Sequence, residues 1–469
     1  MGQRDDSKYV ICSVCHRPNR VGKTYCQYCW SQIRSTVEID SEEARETLHG
    51  LEKNSRRRKK IRLWSFILGP LILVATLSGV ILVGYTDILI RPPLTLNSNS
   101  PAGQWAMFHH DLLHSGSSGS GDTLPEGKLL WTFSTGREIQ SSPAIVDSVA
   151  YVGSRNGKIY AINLITGTIQ WEYQTGSWVD SSPVVMNGVV YFGSNDGSVY
   201  ALDAISGKKL WSFQTPYPIR SSVAVAGGAV YFGGDDYYIY ALNVQTGEML
   251  WRFWTDGLVV SSVAVNNGIV YVGSEDGFLY ALDARNGRFR LRFRSALITT
   301  SPAVNGNTVY FCSSNGYLYA INGRSRNWPF EYDILPYWIQ LWGMGVAPKP
   351  PEHSGFIWQM KLGTTIWSSP TIQNSTLYVG VDDSLVAIDI QTHKILWSFK
   401  TGGVIESSPA VNGNIAYIGS DDGKIYAIDA TSGKGLWNFS TQGPIGSSPA
   451  IFNGVLYVGS YDGLLYAIK

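Results

Sequence analysis

The sequence predicts an all-β fold: an eight-bladed β-propeller of four-stranded antiparallel blades, closed by an N-terminal strand and preceded by a transmembrane α-helix and a small cysteine-rich head. Three observations predict it. A Trp-headed segment recurs about every forty residues from 126 to the end, residues 63–85 carry no charge, and four of the five cysteines fall within residues 12–29. The composition agrees: in 469 residues there are 50 Gly, 27 Tyr and 16 Trp, with 44% hydrophobic residues. So much apolar and aromatic content excludes disorder as the main state. Five cysteines in this length exclude a disulfide-stapled miniprotein.

The repeat explains the glycine and aromatic excess. Trp131, Trp171, Trp211 and Trp251 are spaced by 40, Leu291 takes the next slot, and Trp358, Trp397 and Trp437 continue. Each heads the same text: LWxF, a TG turn, an SSPAV-like strand, a VYxGS strand, a DG or NG turn and an LYALD strand. Four short strands per copy describe a propeller blade, and eight copies predict eight blades. Asn156-Gly157, Asp196-Gly197, Asp276-Gly277, Asn315-Gly316, Asp422-Gly423 and Asp462-Gly463 supply the positive φ of hairpin turns. This accounts for the Asp-Gly series without calcium. The last copy stops at LLYAIK, one strand short, and LLWTF at 129–133 is the surplus strand that fills the gap. Such closure removes open sheet edges.

The uncharged run from Leu63 to Tyr85, as a helix, reaches roughly 34 Å, enough to cross a hydrocarbon core of about 30 Å. More than sixty residues precede it, which argues against a cleaved signal peptide. Arg56, Arg57, Arg58, Lys59, Lys60 and Arg62 stand before it and Arg91 soon after. This asymmetry predicts a plasma-membrane protein with its N-terminus cytoplasmic and residues beyond 85 extracytoplasmic. Residues 1–62 hold 14 basic against 8 acidic residues and the remainder 23 against 28, so the overall net charge of +1 conceals two opposite halves.

In the head (1–35), Cys12-x2-Cys15 and Cys26-x2-Cys29 present four thiolates at the spacing of a structural zinc site. A reducing cytoplasm favours metal over a disulfide. The stretch resembles the short zinc-ribbon knuckle family over about 25 residues, with His16 and Trp30 where glycine commonly follows each CxxC. Four cysteines leave no open coordination position, so the metal is expected to be structural. Nucleic acid is not the expected ligand of the ribbon, and its cytoplasmic partner is unnamed by the sequence. Residues 36–62 read as a short solvated helix followed by a charged tether.

The segment from Ala201 to Trp211 (ALDAISGKKLW), repeated at 161–171, 241–251 and 427–437, resembles the tryptophan-docking motif of quinoprotein-type (PQQ-like) propeller repeats. The copy at 387 has His393 for Gly, and the copy at 281 ends in Leu291. The resemblance covers 126–469. It implies that the seven tryptophans pack between blades as structural docking residues. It also raises dehydrogenase chemistry with pyrroloquinoline quinone and calcium. Cys312 is the one cysteine beyond the uncharged run, which leaves no pair for the vicinal disulfide of those enzymes. Nearly every Asp of this part is assigned to a turn or a docking motif, so no catalytic residue and no quinone site are assigned.

Binding is expected instead on a ring formed by the residue before each SSP step: Gln140, Asp180, Arg220, Val260, Thr299, Trp367, Glu406 and Gly446. These change from copy to copy on a constant frame. Drift at exposed loop positions is the competing explanation. An aromatic, Pro-rich insertion at about 324–355 leaves from the turn between the third and fourth strands, on the face opposite the ring. It would either contact a partner or membrane or fold over its own blade. In the leader and linker (86–125), His109, His110, Asp111 and His114 resemble ligands but are expected to pack against the ring, and 115–121 reads as a flexible link. The expected function is a membrane-anchored, non-catalytic scaffold for a protein, peptide or glycan partner. It looks more like the barrel-assembly lipoprotein propellers than the dehydrogenases, although a helix replaces the lipidated cysteine. A quinone-dependent dehydrogenase and a transmembrane sensor relaying to the ribbon are the alternatives.

Overall fold

The computed structural model describes residues 7–34, 37–85, 104–118 and 124–469; for 55–67, 77 and 80–85 the backbone alone is described. The chain divides into two compact units, 1–91 and 92–469.

In the first unit, Tyr9–Ile11 pairs with Pro18–Arg20 on one side and Glu38–Ile39 on the other. Helix α1 then runs unbroken from Ser41 to Tyr85. Asp40 Oδ1 accepts the backbone N–H groups of Glu42 and Glu43 at 2.9 and 2.8 Å, and both glutamates complement the positive end of the helix dipole. The tether expected before residue 63 is therefore helical. The Glu-, Arg- and Lys-rich text there is made of good helix formers and contains no proline, so nothing ends the helix. The uncharged run forms the C-terminal half of α1. Among the described residues, no helix is long and apolar enough to cross a membrane.

In the second unit the described residues form eight antiparallel sheets of four strands, the arrangement of a β-propeller, one of which gains a fifth, parallel strand. In chain order they span 144–174, 184–214, 224–254, 264–294, 303–361, 371–400, 410–440, and 450–468 joined by Leu129–Ser134. Each begins with a three-residue innermost strand that is almost wholly buried, and ends with an outer strand whose side chains alternate in exposure. In the last sheet Ala467 pairs with Trp131 and Leu464 with Ser134, and Lys128 and Lys469 exchange backbone hydrogen bonds at 2.6 and 2.7 Å. The two ends of the repeat region thus meet in one sheet.

Of the interactions that join sheet to sheet, two run around the whole set. Around the channel, the second Ser of each SSP-type step accepts a hydrogen bond from the same N–H of the preceding sheet: Ser142 N to Ser182 Oγ at 2.9 Å, Ser182 to Ser222 at 3.0 Å, and so on. Ser448 N to Ser142 Oγ at 2.9 Å completes a circuit of eight. All eight serines are buried. Further out, each indole docks on the turn between the third and fourth strands of the next sheet. Trp171 Nε1 donates to Ala204 O at 2.9 Å and its ring lies against Gly207, so closely that a Cβ there would fall 2.7 Å from the ring. Trp131, Trp211, Trp251 and Trp397 repeat this against Gly167, Gly247, Gly287 and Gly433. Trp437 donates to Pro125 O at 3.0 Å and packs on Gly127, so residues 125–127 stand in for the turn that the chain ends interrupt. Trp358 differs. It faces His393, which takes the glycine position at φ 56°, with ring centroids 4.7 Å apart.

The leader runs along the innermost strands. Carbonyls of Trp105, Ala106, Leu112, Leu113, Ser115 and Gly116 accept N–H groups from the innermost strands of six sheets at 2.7–3.0 Å. An edge strand exposes unpaired donors, and the leader satisfies them from inside. Ser117–Ser118 pairs in parallel with Val411 and Asn412, so the Ser/Gly text read as a flexible link starts as an ordered strand. His109 and His114 are buried with ring centroids 5.9 Å apart. His114 Nδ1 meets Pro302 O at 2.9 Å, while neither ring nitrogen of His109 has a partner among the described residues. Asp111 is held by Leu113 N, Ser115 N and Ser115 Oγ. These groups pack the leader against the ring and form no metal cluster among the described residues.

The insertion, between Asn322 and Phe356, contains helix α2 (Glu331–Gly343). Its root covers the outer strand of the preceding sheet. Tyr332 Oη accepts Arg294 N at 3.1 Å and donates to Arg292 O at 2.9 Å. Buried Glu331 accepts Asn327 Nδ2 at 2.9 Å and Ser354 N at 2.8 Å. Burial would raise its carboxyl, but these bonds and His353 outweigh it and hold the group at about 2. The insertion thus covers a neighbouring edge, where the sequence suggested its own blade, because a blade's exposed outer strand lies beside the next blade's turn.

Two outcomes follow. Gly207→Ala meets both a positive φ and the Trp171 ring, so it should lower stability by about 1–3 kcal/mol in thermal unfolding. Gly136→Ala, at φ 76° with nothing within 4 Å, should cost only the backbone share. Burial holds His109 at about 3 and His114 at about 4 against an ordinary 6.5. The unfolded chain therefore binds more protons below pH 6.5, and stability should fall as pH drops from there toward 4. His109→Phe should flatten the melting-temperature profile between pH 6.5 and 5.

Candidate functional sites: the ring mouth and the cysteine cluster

At the end of the channel away from the leader, two loops of each sheet are tied together. The N–H just after strand two donates to a carbonyl two residues before the ring position: Arg155 to Glu138, Asn195 to Trp178, Asp235 to Pro218, Glu275 to Leu258, Ser314 to Leu297, Asp382 to Thr365, Asp421 to Val404 and Tyr461 to Pro444, all at 2.8–3.2 Å. A second variable position is thereby brought beside the first. The sequence reading missed this second ring. Its signal is the changing residue that, in five of the eight copies, stands between Gly-Ser and Asp-Gly or Asn-Gly.

Gln140, Asp180, Arg220, Val260 and Thr299 line one cavity of about 520 Å³ together with Arg155, Trp178, Asn195, Pro218 and Asp235. Arg155 is its hub, with Nε on Asp180 at 2.9 Å, Nη1 on Glu138 at 2.5 Å and Nη2 on Gln140. Its guanidinium also lies over Trp178, 5.0 Å from the ring centre. Arg220 Nε pairs with Asp235 at 2.9 Å. Asn195 Oδ1, Asp235 Oδ1 and Thr299 Oγ1 are buried with no hydrogen-bond partner among the described residues. Buried polar atoms are rarely left unpaired, so these three are places where a water or another polar group can be accommodated.

Trp367 and Glu406 lie elsewhere on the ring, outside that cavity. Trp367 is 47% exposed. Glu406 Oε2 accepts Tyr461 Oη at 3.2 Å, and burial, with Glu406 and Asp422 adding repulsion, pushes neighbouring Asp421 up to about 6. The turn aspartates behind the ring are occupied: Asp196, Asp236, Asp276 and Asp462 each accept a Tyr hydroxyl at 2.6–2.8 Å, and Asp422 accepts that of Tyr426.

In the first unit, the Sγ atoms of Cys12, Cys15, Cys26 and Cys29 lie within 4.8 Å of one another, the one such group of metal-binding residues among those described. Sulfurs 2.3 Å from a tetrahedral centre stand about 3.8 Å apart. Cys12 and Cys29 are 3.7 Å apart and Cys15 and Cys26 3.4 Å, so the donor set fits zinc. The two CxxC turns are copies: His16 N donates to Cys12 O and Trp30 N to Cys26 O, both at 2.9 Å, with φ of 55° and 59°. His16 and Trp30 therefore adopt the glycine-type conformation at the positions where glycine was missed. Asn19 Nδ2 and Tyr28 N each lie 3.4 Å from Cys26 Sγ, placing donors behind a thiolate. Purified protein should hold one zinc per chain by elemental analysis, and Cys26→Ser should release it to a chromogenic chelator without changing the propeller's melting.

No curated protein matches the chain. Among solved structures it is similar to BamB from Moraxella catarrhalis (19% identity, 73% of this chain and 97% of that one, TM-score 0.58). It is also similar to the quinohemoprotein alcohol dehydrogenase of Comamonas testosteroni (16%, 78% and 80%, 0.63) and the computationally designed Ika8 protein (18%, 74% and 99%, 0.59). At these identities the likeness speaks for the fold alone. The family model described as outer membrane protein assembly factor BamB matches residues 123–253, 235–333 and 351–469. By that match, over most of its length, the chain belongs to the PQQ-like, BamB-type propeller repeat family.

Proposed function

We propose that this chain is a single-pass membrane protein whose eight sheets form one eight-bladed propeller, displayed on the extracytoplasmic side as a non-catalytic binding and scaffold module. The observation that carries this reading is the ring mouth. Its frame is internally hydrogen-bonded, while two adjacent positions per sheet vary, and those of the first five sheets contribute to one polar cavity. A protein, peptide or glycan partner rich in donors suits that surface. The anchor is the uncharged 63–85 run, with the basic residues before it keeping the N-terminus cytoplasmic. The head is a zinc ribbon whose metal supplies folding energy, roughly 10–16 kcal/mol in comparable small sites.

The assignment of the turn aspartates to tyrosine hydroxyls supports binding over catalysis. The likeness to quinohemoprotein dehydrogenases keeps a quinone-dependent oxidation as the second reading, and a dye-linked assay with added quinone and calcium separates the two. A sensor role would require the ribbon for the phenotype even when the propeller is exported.

The direct test places a photoreactive amino acid at Gln140 in the intact membrane protein. An adduct is expected that disappears when Asp180, Arg220, Trp367 and Glu406 are replaced together. An unchanged adduct would remove the ring from the binding function.

A further inference from the structure

We propose that the ring-mouth cavity recognises a neutral oligosaccharide, with Trp178 as its stacking platform. The inference rests on the binding reading above and adds to it the class of ligand.

Charge decides first. Four charged residues line the cavity, and they form two ion pairs: Arg155 Nε lies 2.9 Å from Asp180 Oδ1, and Arg220 Nε 2.9 Å from Asp235 Oδ2. The lining charges therefore cancel in number, and each guanidinium already neutralises a carboxylate at hydrogen-bond distance. An anionic or cationic ligand finds no unmatched counter-charge among them and would have to break a pair to make one. A neutral ligand meets no such barrier.

Hydrogen-bonding capacity decides next. Beside the ion pairs, the polar lining is Gln140, Asn195 and Thr299, drawn from the first, second and fifth sheets. Asn195 Nδ2 donates to Asp180 Oδ2 at 3.1 Å, which leaves its Oδ1, like Asp235 Oδ1 and Thr299 Oγ1, without a partner among the described residues. The Arg220 side chain is 41% exposed, so guanidinium donors stand next to the Asp235 acceptor. A sugar hydroxyl both donates and accepts, and so suits a wall that mixes planar donors with planar acceptors.

Shape agrees. The cavity volume of about 520 Å³ lies in the range of small-molecule sites. Trp178 is the aromatic residue of the lining and is 50% exposed. The Arg155 guanidinium holds one face of the indole, 5.0 Å from the ring centre, and the exposed area is left for the apolar C–H face of a pyranose. Tyr217, 59% exposed on the corresponding loop of the third sheet, offers a second aromatic surface to a longer chain.

A peptide fits less well. The aliphatic lining is Pro218 and Val260, so an apolar side chain has little to pack on. The backbone N–H groups of Arg155, Asn195 and Asp235 are bonded to carbonyls of the facing loop, and so are not free to pair with an added strand.

The test uses the full chain in lauryldimethylamine oxide, a detergent without a sugar headgroup. It is applied to immobilised neutral trisaccharides (cellotriose, maltotriose, mannotriose, chitotriose) and to hexalysine, hexaglutamate and mixed hexapeptides. Binding to a trisaccharide is expected, little changed between about 0.05 and about 0.5 M salt. Trp178→Ala should weaken it by roughly tenfold or more, and the near-isosteric Asn195→Leu and Thr299→Val should also weaken it. Ile205→Ser, in the turn between the third and fourth strands of the second sheet, should leave it unchanged. Equal melting temperatures of the variants show that the frame is intact. Binding to a peptide in place of sugar, lost in the same variants, overturns the inference and keeps the mouth as a binding site. Binding to neither overturns it too; the Gln140 adduct then decides whether the mouth binds at all.

Discussion

Closure is the constraint on which this structure depends. Each sheet is a short unit with apolar surface to bury on both sides, and it is stable only between two neighbours. Eight such units succeed because the last meets the first. The serine circuit makes that explicit, since every member donates to the next and the eighth returns to Ser142. The Trp–Gly dock does the same further out and is completed by residues 125–127, which supply a turn to a sheet that has none of its own. The outer dock tolerates variation that the inner circuit does not. Leu291 and the Trp358–His393 pair replace the usual contact, whereas a serine occupies every place in the inner ring.

A rigid, repetitive frame of this kind leaves its loops free to differ. Hydrogen bonds inside each sheet position the mouth residues, so side chains there are released from any structural duty and can vary without disturbing closure. Arg155 shows the consequence: one residue in one sheet organises Glu138, Gln140 and Asp180 from two sheets. The leader reinforces this polarity. It occupies the inner strand edges of six sheets and leaves the mouth loops uncovered by those bonds.

The cysteine head obeys a different rule. It is too short to bury a sufficient apolar core, so its geometry is set by the convergence of four thiols. Positive φ at both His16 and Trp30 shows that the paired CxxC turns override residue preference at those positions.

Much of this was legible in the sequence. The forty-residue period, the turn glycines, the surplus strand and the paired CxxC spacing are local patterns, because each blade and each knuckle folds from contiguous text. The copy-to-copy variation before each SSP step was readable for the same reason. What tertiary structure alone decided involves residues distant in the chain. It brought Arg155 to Asp180, put the leader into the channel, supplied residues 125–127 as a missing turn, and laid the insertion over a neighbouring edge. Chain pattern encodes the strand and turn preferences of each copy. The partners across sheets depend on how many copies close the ring, and that is settled only when all of them are packed.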